Sequence, residues 1–372
     1  MTFYSFELER WQSTWENQVR YNLSESGVHP LSIGELFALT GGEPAELGAL
    51  RLVYNQSDGT DALRDAVAGL YSGATGDNVT VTVGSAEANF ITCWTLIEPG
   101  DHVAVLTPVY MQSPGLARNF GAAVTEFPLH FERGWDPDPE EVAGAIKPGT
   151  KLVIVTNPNN PTGHVLSDEA RAVILEQIQA AGAWLLVDEV YQGAELNGVE
   201  TPSFWGSYDK TIIVNGLSKA YGLPGLRIGW ILSSTEFKQA VVRRHDYTVI
   251  GPSPASDYLA TRAIGVRDRI FARTRGILNT NYPLLESFLQ SFGTLFEWHK
   301  PDCGAICMAR YRHSMSSLEL VERMRAEQDI LMVPGEHFGL PFHLRMSYGN
   351  EREELAAALD EVKQAFGRML ID

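Results

Sequence analysis

A lysine in an apolar, glycine-bearing segment is the side chain best suited to chemistry in this sequence. Lys219 lies in Asn215–Trp230, directly after the apolar run Thr211–Val214. A lysine kept from solvent in this way is expected to have a lowered pKa and a nucleophilic amine. Ser218 and Arg227 bracket it and offer donors that suit a phosphate group. The segment therefore predicts amine-based covalent chemistry beside an anion site.

An acid and a run of amides follow two further apolar runs. Asp188 and Tyr191 come after Trp184–Val187. A carboxylate at the end of a buried strand needs a cationic partner, such as a protonated pyridine nitrogen, unless it simply caps a helix. The loop Asn157–Gly163, which contains Asn160, either forms a turn or presents amide donors to an oxygen of a bound ring. Since ligands lie outside the carboxyl ends of parallel strands, these residues predict one shared site.

A third candidate is the run Gly84-Ser85-Ala86-Glu87, between an apolar segment and a helical one. Its backbone N–H groups and the Ser85 hydroxyl could hold a phosphate at the start of the helix. An ordinary helix cap would use the same residue types. The run on its own leaves both interpretations open.

The elements that must position these residues follow an αβ rhythm between about residues 60 and 265. Val/Ile/Leu-rich runs without alternation are typical of strands covered on both faces, so we expect a mostly parallel sheet between helices. The predicted strands are Val79–Val83, Val103–Thr107, Lys151–Thr156, Trp184–Val187 and Thr211–Val214, and the predicted helices are Asp61–Tyr71, Ala86–Ile97, Met111–Phe120 and Ser167–Ala181.

The pattern changes after about residue 266 and predicts a smaller α+β domain. We expect an N-terminal arm that joins this domain (residues 1–40), a large domain (41–265) and a small C-terminal domain (266–372). The predicted small-domain helices are Val266–Gln290, Ser316–Glu327 and Glu351–Phe366, and its strands are Leu295–Trp298, Ile306–Ala309, Ile330–Val333 and Phe342–Met346.

Three of these segments, Asn157–Gly163, Asp188–Tyr191 and Ser218–Gly229, resemble in order and spacing the signature of the fold-type I, class I/II aminotransferases. The resemblance implies an aspartate-aminotransferase-like α/β fold and pyridoxal 5′-phosphate (PLP) as cofactor. It further implies that Lys219 forms a Schiff base and moves a proton by way of a quinonoid intermediate. Asp188 would pair with the pyridinium nitrogen, and Asn160 and Tyr191 would bind the ring oxygen.

The resemblance also implies roles for residues outside these three segments. It makes Arg345 the ligand of the substrate α-carboxylate and Tyr54 a phosphate ligand supplied by a neighbouring subunit, and so it implies a homodimer with shared active sites. Pro108 and Pro161 become candidates for cis peptide bonds. The remaining expected cofactor ligands are Tyr110, which would stack on the ring, and Ser85, Ala86, Glu87, Ser218 and Arg227 around the phosphate.

The N-terminal segment Asn22–Pro30 departs from the aminotransferase pattern and is similar to that of capreomycidine-synthase-like enzymes, which close a ring on a hydroxylated arginine. Here Gly27 is expected to approach the substrate, Glu25 to meet a guanidinium and His29 to carry a proton. Between Tyr21 and Leu50 there is no Lys or Arg for a second carboxylate, which disfavours aspartate as substrate. Asp58 and Glu87 could also meet a guanidinium, although a role as a solvated loop acid or a helix cap is the favoured explanation for each of these acids.

Composition narrows the classes of partner. The net charge of −17 disfavours nucleic acid and anionic membranes. Three scattered cysteines, Cys93, Cys303 and Cys307, predict neither a metal site nor a disulfide framework. No signal-like or membrane-spanning apolar stretch occurs, so a cytoplasmic location is expected.

Two reactions fit the motifs, and the sequence favours the first of them. The first is transamination of a free L-amino acid with a neutral, aromatic or basic side chain. The second is β/γ-elimination with ring closure on a hydroxylated arginine, which shares the same early steps. A PLP-binding regulator is disfavoured, because such proteins carry an added basic DNA-binding domain, whereas this chain is strongly acidic.

Overall fold

The computed structural model describes residues 3–371, with side chains described for residues 3–370. Met1, Thr2 and Asp372, which the domain boundaries above include, lie outside the described residues. No helix within this part of the chain combines the length and the apolar character needed to cross a bilayer.

Helices and strands alternate through most of the described chain. The α-helices are α1 (Glu7–Trp15), α2 (Ile33–Thr40), α3 (Ala45–Ala49), α4 (Asp61–Ala68), α5 (Ser85–Leu96), α6 (Gln112–Asn119), α7 (Pro139–Ala145), α8 (Asp168–Ala181), α9 (Thr235–His245), α10 (Pro254–Gly265), α11 (Arg267–Gln290), α12 (Ser317–Gln328) and α13 (Arg352–Phe366). The strands are β1 (Tyr21–Asn22), β2 (Val79–Thr82), β3 (His102–Thr107), β4 (Ala123–His130), β5 (Asp136–Pro137), β6 (Thr150–Thr156), β7 (Trp184–Asp188), β8 (Thr211–Gly216), β9 (Gly229–Leu232), β10 (Phe296–Trp298), β11 (Ile306–Tyr311), β12 (Ile330–Leu331), β13 (Val333–Pro334) and β14 (His343–Ser347).

A sheet of eight strands, in the order β2-β9-β8-β7-β6-β3-β4-β5, forms the centre of the large domain. Strands β8, β7, β6, β3 and β4 run parallel, while β9 and β5 are antiparallel to their neighbours. Successive residues of a strand belong to opposite cores: Val153 and Val155 of β6 pack on one face, and Leu152 and Ile154 on the other. The expectation of a mostly parallel sheet between helices is confirmed.

Three strands of this sheet have no counterpart in the sequence prediction, among them β5, which has two residues and pairs with β4. Strand β4 carries intermediate or exposed side chains at most positions, so it lacks a continuous apolar run. Strand β9 has four residues and follows the glycine-rich segment after Lys219, where the pattern predicts a loop. Strands β4 and β9 are held by pairing with neighbouring strands rather than by local pattern.

A second, four-stranded antiparallel sheet in the order β10-β11-β14-β13 forms the smaller domain with α11, α12 and α13. Strand β1 pairs in parallel with β12, so the N-terminal segment is attached to the C-terminal part of the chain. Ser167 and Ser316 cap α8 and α12 by accepting the N–H groups of Ala170 and Glu319. Each helix therefore begins directly after its serine, where a serine followed by acids predicts an N-terminus.

Candidate active site

The carboxyl ends of β6, β7 and β8 meet along one edge of the large sheet and open into a cavity of about 390 Å³. Asp188 is the last residue of β7, Thr156 is the last of β6, and Lys219 lies three residues after β8. Adjacent parallel strands bring residues that are far apart in sequence to one place, as the motif spacing predicts.

Most of the expected functional residues line this cavity. We call one flank the strand-end side, formed by Ser85, Ala86, Asp188, Ser218, Lys219 and Arg227; Tyr110, Asn160, Tyr191 and Arg345 line the space next to it. The rest of the lining comes from the N-terminal part of the chain, and we call it the N-terminal side: Glu9, Gln12, Glu16 and Glu25.

Asp188 is a buried carboxylate held by two donors. The Asn89 amide donates to Oδ2 at 3.0 Å, and the Val190 N–H donates to Oδ1 at 3.2 Å. Burial raises the pKa of Asp188 to about 6, although both donors act in the opposite direction. A cation facing this carboxylate would relieve that cost, since an adjacent positive charge favours the ionised form.

Asn89 was missed by the sequence analysis. It lies four residues after Ser85 on α5, so the two share a helix face. That spacing, on a helix already suspected of facing the ligand, was the available signal.

Lys219 donates from Nζ to Glu25 Oε1 at 2.8 Å, and the two side chains are 25% and 44% exposed. Burial alone would lower the pKa of Lys219, but the Glu25 carboxylate and the nearby Tyr191 together raise it above its ordinary value. The expectation of a lowered pKa for Lys219 is therefore wrong. No acid is close to Lys219 along the sequence, so its contact with Glu25 is visible only in the fold. In turn, Lys219 lowers the pKa of Glu25 to about 2 against the effect of burial.

The far end of the strand-end side is suited to an anion. Ser85 opens the 12-residue helix α5, and Arg227 Nη1 lies 3.4 Å from Ser218 Oγ. Gly84 has φ +81°, and a Cβ added there would lie 2.4 Å from Arg227 Nη2. The glycine thus lets the guanidinium approach the helix N-terminus, where N–H groups and a cation converge.

Arg345 lies at the other end of the cavity and is 1% exposed. Its Nη1 donates to Asn160 Oδ1 at 3.0 Å, and its Nη2 donates to the Ser24 carbonyl. The planar fork is held in place by these bonds and suits a carboxylate. Tyr191 donates to Ser26 Oγ at 2.9 Å, so the N-terminal segment also positions this hydroxyl.

Helix α1 and the residue that follows it supply three cavity residues that the sequence analysis missed: Glu9, Gln12 and Glu16. Glu9 accepts the Tyr110 hydroxyl, and Gln12 Nε2 donates to the Ser24 carbonyl at 2.8 Å. An isolated amphipathic helix gives no sign of what it covers, so no local signal distinguished these residues from solvated ones.

Both domains hold α1 in place. The backbone of Tyr4 exchanges two hydrogen bonds with the Asn119 side chain of the large domain. On the other side, Trp11 Nε1 donates to the Met332 carbonyl at 2.9 Å.

Several expected site residues lie outside the cavity lining. Gly27 is behind it, where an added Cβ would lie 3.2 Å from the Ser218 carbonyl. His29 Nδ1 is 2.9 Å from Glu351 and also contacts Arg273, so it faces away from Lys219.

The two other candidate guanidinium ligands are engaged elsewhere. Glu87 accepts the Val83 N–H at 2.6 Å and the Thr248 hydroxyl, which makes it a cap beneath α5. Asp58 pairs with Lys238 at 2.8 Å and with Arg64 at 3.3 Å.

Tyr54 is 88% exposed and does not reach the cavity of its own chain. The peptide bonds preceding Pro108 and Pro161 are cis, as expected, and so is the Asn157–Pro158 bond.

Comparison with known proteins identifies similar chains. Residues 38–362 match the family model described as aminotransferase class I and II. Capreomycidine synthase from Streptomyces vinaceus is 31% identical over 366 residues, covering 97% of this chain and 93% of that protein. A PLP-dependent aminotransferase from Streptococcus suis superposes with a TM-score of 0.94 at 31% identity over the full length of both chains. The PLP-dependent cyclase OrfR superposes with a TM-score of 0.92 at 28% identity, covering 99% of this chain and 98% of its own.

Proposed function

Because the chain belongs to the class I and II aminotransferase family, whose members use PLP, we propose that it acts on a free L-amino acid with a cationic guanidino side chain. The preferred substrate is a hydroxylated arginine, and the reaction is loss of water with ring closure. The observation that carries the proposal is the concentration of three carboxylates, Glu9, Glu16 and Glu25, on the N-terminal side.

The residues of the cavity fit PLP. The anion site formed by Ser85, Ser218 and Arg227 suits the cofactor phosphate, and the Gly84 cradle would be filled by any Cβ. The costly buried carboxylate of Asp188 suits a protonated pyridine nitrogen. When bound, the cofactor supplies an electron sink that lets the substrate Cα–H bond ionise.

In this proposal Lys219 carries the cofactor covalently at rest and moves the proton of substrate Cα during turnover. Asn160 and Tyr191 bind the ring oxygen, and Tyr110 stacks against the ring. Arg345, held by Asn160 and Ser24, binds the α-carboxylate through two parallel hydrogen bonds.

The charge of the N-terminal side selects the substrate side chain. Burial raises the pKa of Glu16, and the negative charges of Glu25 and Glu9 raise it further. A guanidinium would relieve this repulsion, whereas the second carboxylate of aspartate would increase it. The cations that line the cavity, Lys219, Arg227 and Arg345, all have other roles in the proposal.

The reaction needs no redox partner. Lys219 takes the Cα proton, the C–O bond to the β-hydroxyl breaks, and the departing oxygen takes up that proton and leaves as water. A guanidino nitrogen then bonds to Cβ, and its surplus proton passes by way of a cavity carboxylate and Lys219 to Cα. The ring product and one water balance the substrate.

Transamination of a basic amino acid is the second candidate, favoured by the likeness to the Streptococcus suis aminotransferase. Incubation with hydroxyarginine, arginine and aspartate separates the two reactions by mass spectrometry and cofactor absorbance. A product lighter by one water, with the aldehyde cofactor retained, supports cyclisation. A keto acid with the amine form of the cofactor supports transamination, and rapid turnover of aspartate alone would contradict cationic recognition.

We also propose a homodimer in which Tyr54 reaches the phosphate of the neighbouring subunit. Support comes from neighbouring exposed apolar side chains: Leu52 is 85% exposed, Tyr54 88% and Tyr247 81%. Gly251 lies close to the backbone of residues 56 and 57, so the segment that carries Tyr247 meets the chain near Tyr54. Such a patch marks an interface.

Mixing two inactive or weakened variants tests this arrangement. A Lys219→Ala chain retains Tyr54, and a Tyr54→Ala chain retains Lys219, so a hybrid dimer contains one complete site. Excess Lys219→Ala chain should increase the activity of Tyr54→Ala. No increase in samples shown to exchange subunits would exclude a shared site.

A further inference from the structure

Four consecutive residues of the N-terminal segment each contact a different part of the proposed catalytic apparatus. The Ser24 carbonyl accepts from Arg345, Glu25 accepts from Lys219, and Ser26 Oγ accepts from Tyr191. Gly27 lies directly against the backbone around Lys219. The segment is thus in contact with both the predicted carboxylate ligand and the predicted proton carrier.

Glu25 has the most constrained side chain of the four. Its Oε1 accepts the N–H groups of Ser26 at 2.8 Å and Gly27 at 3.1 Å in addition to Lys219 Nζ at 2.8 Å. The carboxylate is therefore fixed by its own backbone and does not depend on Lys219 for its position. It also lines the cavity, together with Glu9 of α1 and with Glu16, the residue that follows α1.

We propose that Glu25 is a positioning residue that exchanges partners: in the resting holoenzyme it supports a positive charge on the nitrogen of Lys219, and it then takes the substrate's cationic side chain, so that the amine freed from the cofactor can accept the Cα proton. This inference rests on the proposed function. It explains why the chain places an acid beside its lysine, a contact that would otherwise keep the amine protonated and unreactive.

The other charged groups around the pair do not replace Glu25. The charged or titratable groups that act on Lys219 also include Asp188 at the end of β7, Tyr191 after that strand, Arg345 of β14 and Glu16 after α1. Among the described residues, Glu25 is the acid that forms an ion pair with Lys219. Removal of its charge therefore removes the main support for a positive charge on the lysine nitrogen.

The first test is a pH titration of the visible cofactor band of the substrate-free holoenzyme. Glu25→Gln keeps the two backbone hydrogen bonds and loses the charge. The titration midpoint should move to lower pH by about one unit or more, since an opposite charge within 4–6 Å shifts a pKa by roughly that amount. Glu7→Gln, an exposed acid of the same N-terminal region outside the cavity, should leave the midpoint in place. An unchanged midpoint in Glu25→Gln would overturn the proposal.

The second test compares arginine with citrulline, which has nearly the same shape and no charge. The measurement is the rate of Cα–H exchange in D₂O at saturating amino acid, which is independent of what happens after proton removal. In the wild type, arginine should exchange about 10-fold faster than citrulline, and in Glu25→Gln the ratio should fall towards one.

The outcomes separate the two hypotheses. Equal rates in the wild type would overturn both cationic recognition and partner exchange. A preference for arginine that persists in Glu25→Gln would overturn partner exchange while leaving the proposed substrate class intact.

Discussion

The strand-end side and the N-terminal side of the cavity are built differently. The first takes its residues from the ends of adjacent parallel strands, so Asp188 and Lys219 are placed by the sheet itself. The second takes Glu9 from a nine-residue helix, Glu16 from the end of that helix and Glu25 from a loop, and tertiary contacts hold these parts of the chain. In the proposed function, the chemistry common to the family thus resides in the sheet, while selectivity resides in a part that packs onto it.

The largest expected effect is on the strand-end side. Lys219→Ala removes the amine that is proposed to hold the cofactor and move the proton. Activity should fall by at least about 10⁴-fold, because covalent attachment and proton transfer are both lost. Absorption spectra of the reconstituted protein should lack the long-wavelength band that the wild type shows. If the variant kept that band, Lys219 would not be the residue that holds the cofactor, and the role proposed for the strand-end side would be wrong.

Asp188→Asn should separate the contribution of this carboxylate to catalysis from its effect on the stability of the fold. Activity should fall by about 10²–10³-fold, since the charge facing the cofactor nitrogen is lost. The folded pKa of Asp188, about 6, exceeds the ordinary 3.8, so its protonated form stabilises the apoprotein at low pH and that contribution is lost as pH rises through 6. The cofactor-free variant should therefore be more stable than the wild type at pH 7 by roughly 2 kcal/mol, with little difference at pH 4.

Urea denaturation of both apoproteins at the two pH values measures this difference. A variant that is less stable than the wild type at pH 7 would show that Asp188 has a structural role instead.

Arg345→Lys probes the boundary between the two sides. Lysine keeps the charge but loses the fork that Asn160 and Ser24 hold in place. We expect kcat/KM to fall by about 10²-fold for every amino acid tested, because the α-carboxylate is common to all of them. Steady-state kinetics with two substrates that differ only in the side chain check this. A loss confined to one substrate would place Arg345 at the side-chain end of the cavity.

Glu9→Gln and Glu16→Gln should have smaller, selective effects. Each half-buried carboxylate is worth roughly 1 kcal/mol to a guanidinium, so KM for arginine-like substrates should rise about fivefold per variant. KM for a neutral amino acid should stay the same or fall. Glu7→Gln serves as the matched control on the same helix. An equal change for charged and neutral substrates would indicate that α1 acts only as a cover.

A substitution at the contact between the two domains should have the smallest effect of the series. His164 lies 2.8 Å from Asp136 and 3.2 Å from Asp302. Burial lowers the pKa of His164, but its hydrogen bonds to the two carboxylates raise it overall. The stabilisation is therefore full below about pH 6.5 and is lost as pH rises through the folded pKa. His164→Asn should lower Tm by about 1–2 °C at pH 6 and by less at pH 9, as thermal denaturation would show.

The strand-end side could be predicted from the sequence because its information is local. Apolar runs predict the strands, and the residues that follow Val187 and Val214 are then placed at one edge. The N-terminal side could not be predicted in the same way. The acid beside Lys219 is 194 residues away in sequence, and only the pairing of β1 with β12 and the docking of α1 bring that part of the chain to the cavity.

The predicted site residues that do not line the cavity are explained in the same way, by contacts between parts of the chain that are distant in sequence. His29 and Asp58 are acids or bases of the right type, but a nearby opposite charge, Glu351 or Lys238, already binds each of them. Strand β9 shows the converse, since its neighbours hold a segment whose own residues predict a loop.

The attachment of α1 to both domains by a few hydrogen bonds has a consequence for how such enzymes diversify. In the proposal above, residues 3–27 carry the side-chain preference, and they form one piece that brings its own contacts to Lys219, Tyr191 and Arg345. Grafting these residues onto a relative with the same sheet should therefore confer a preference for guanidino compounds.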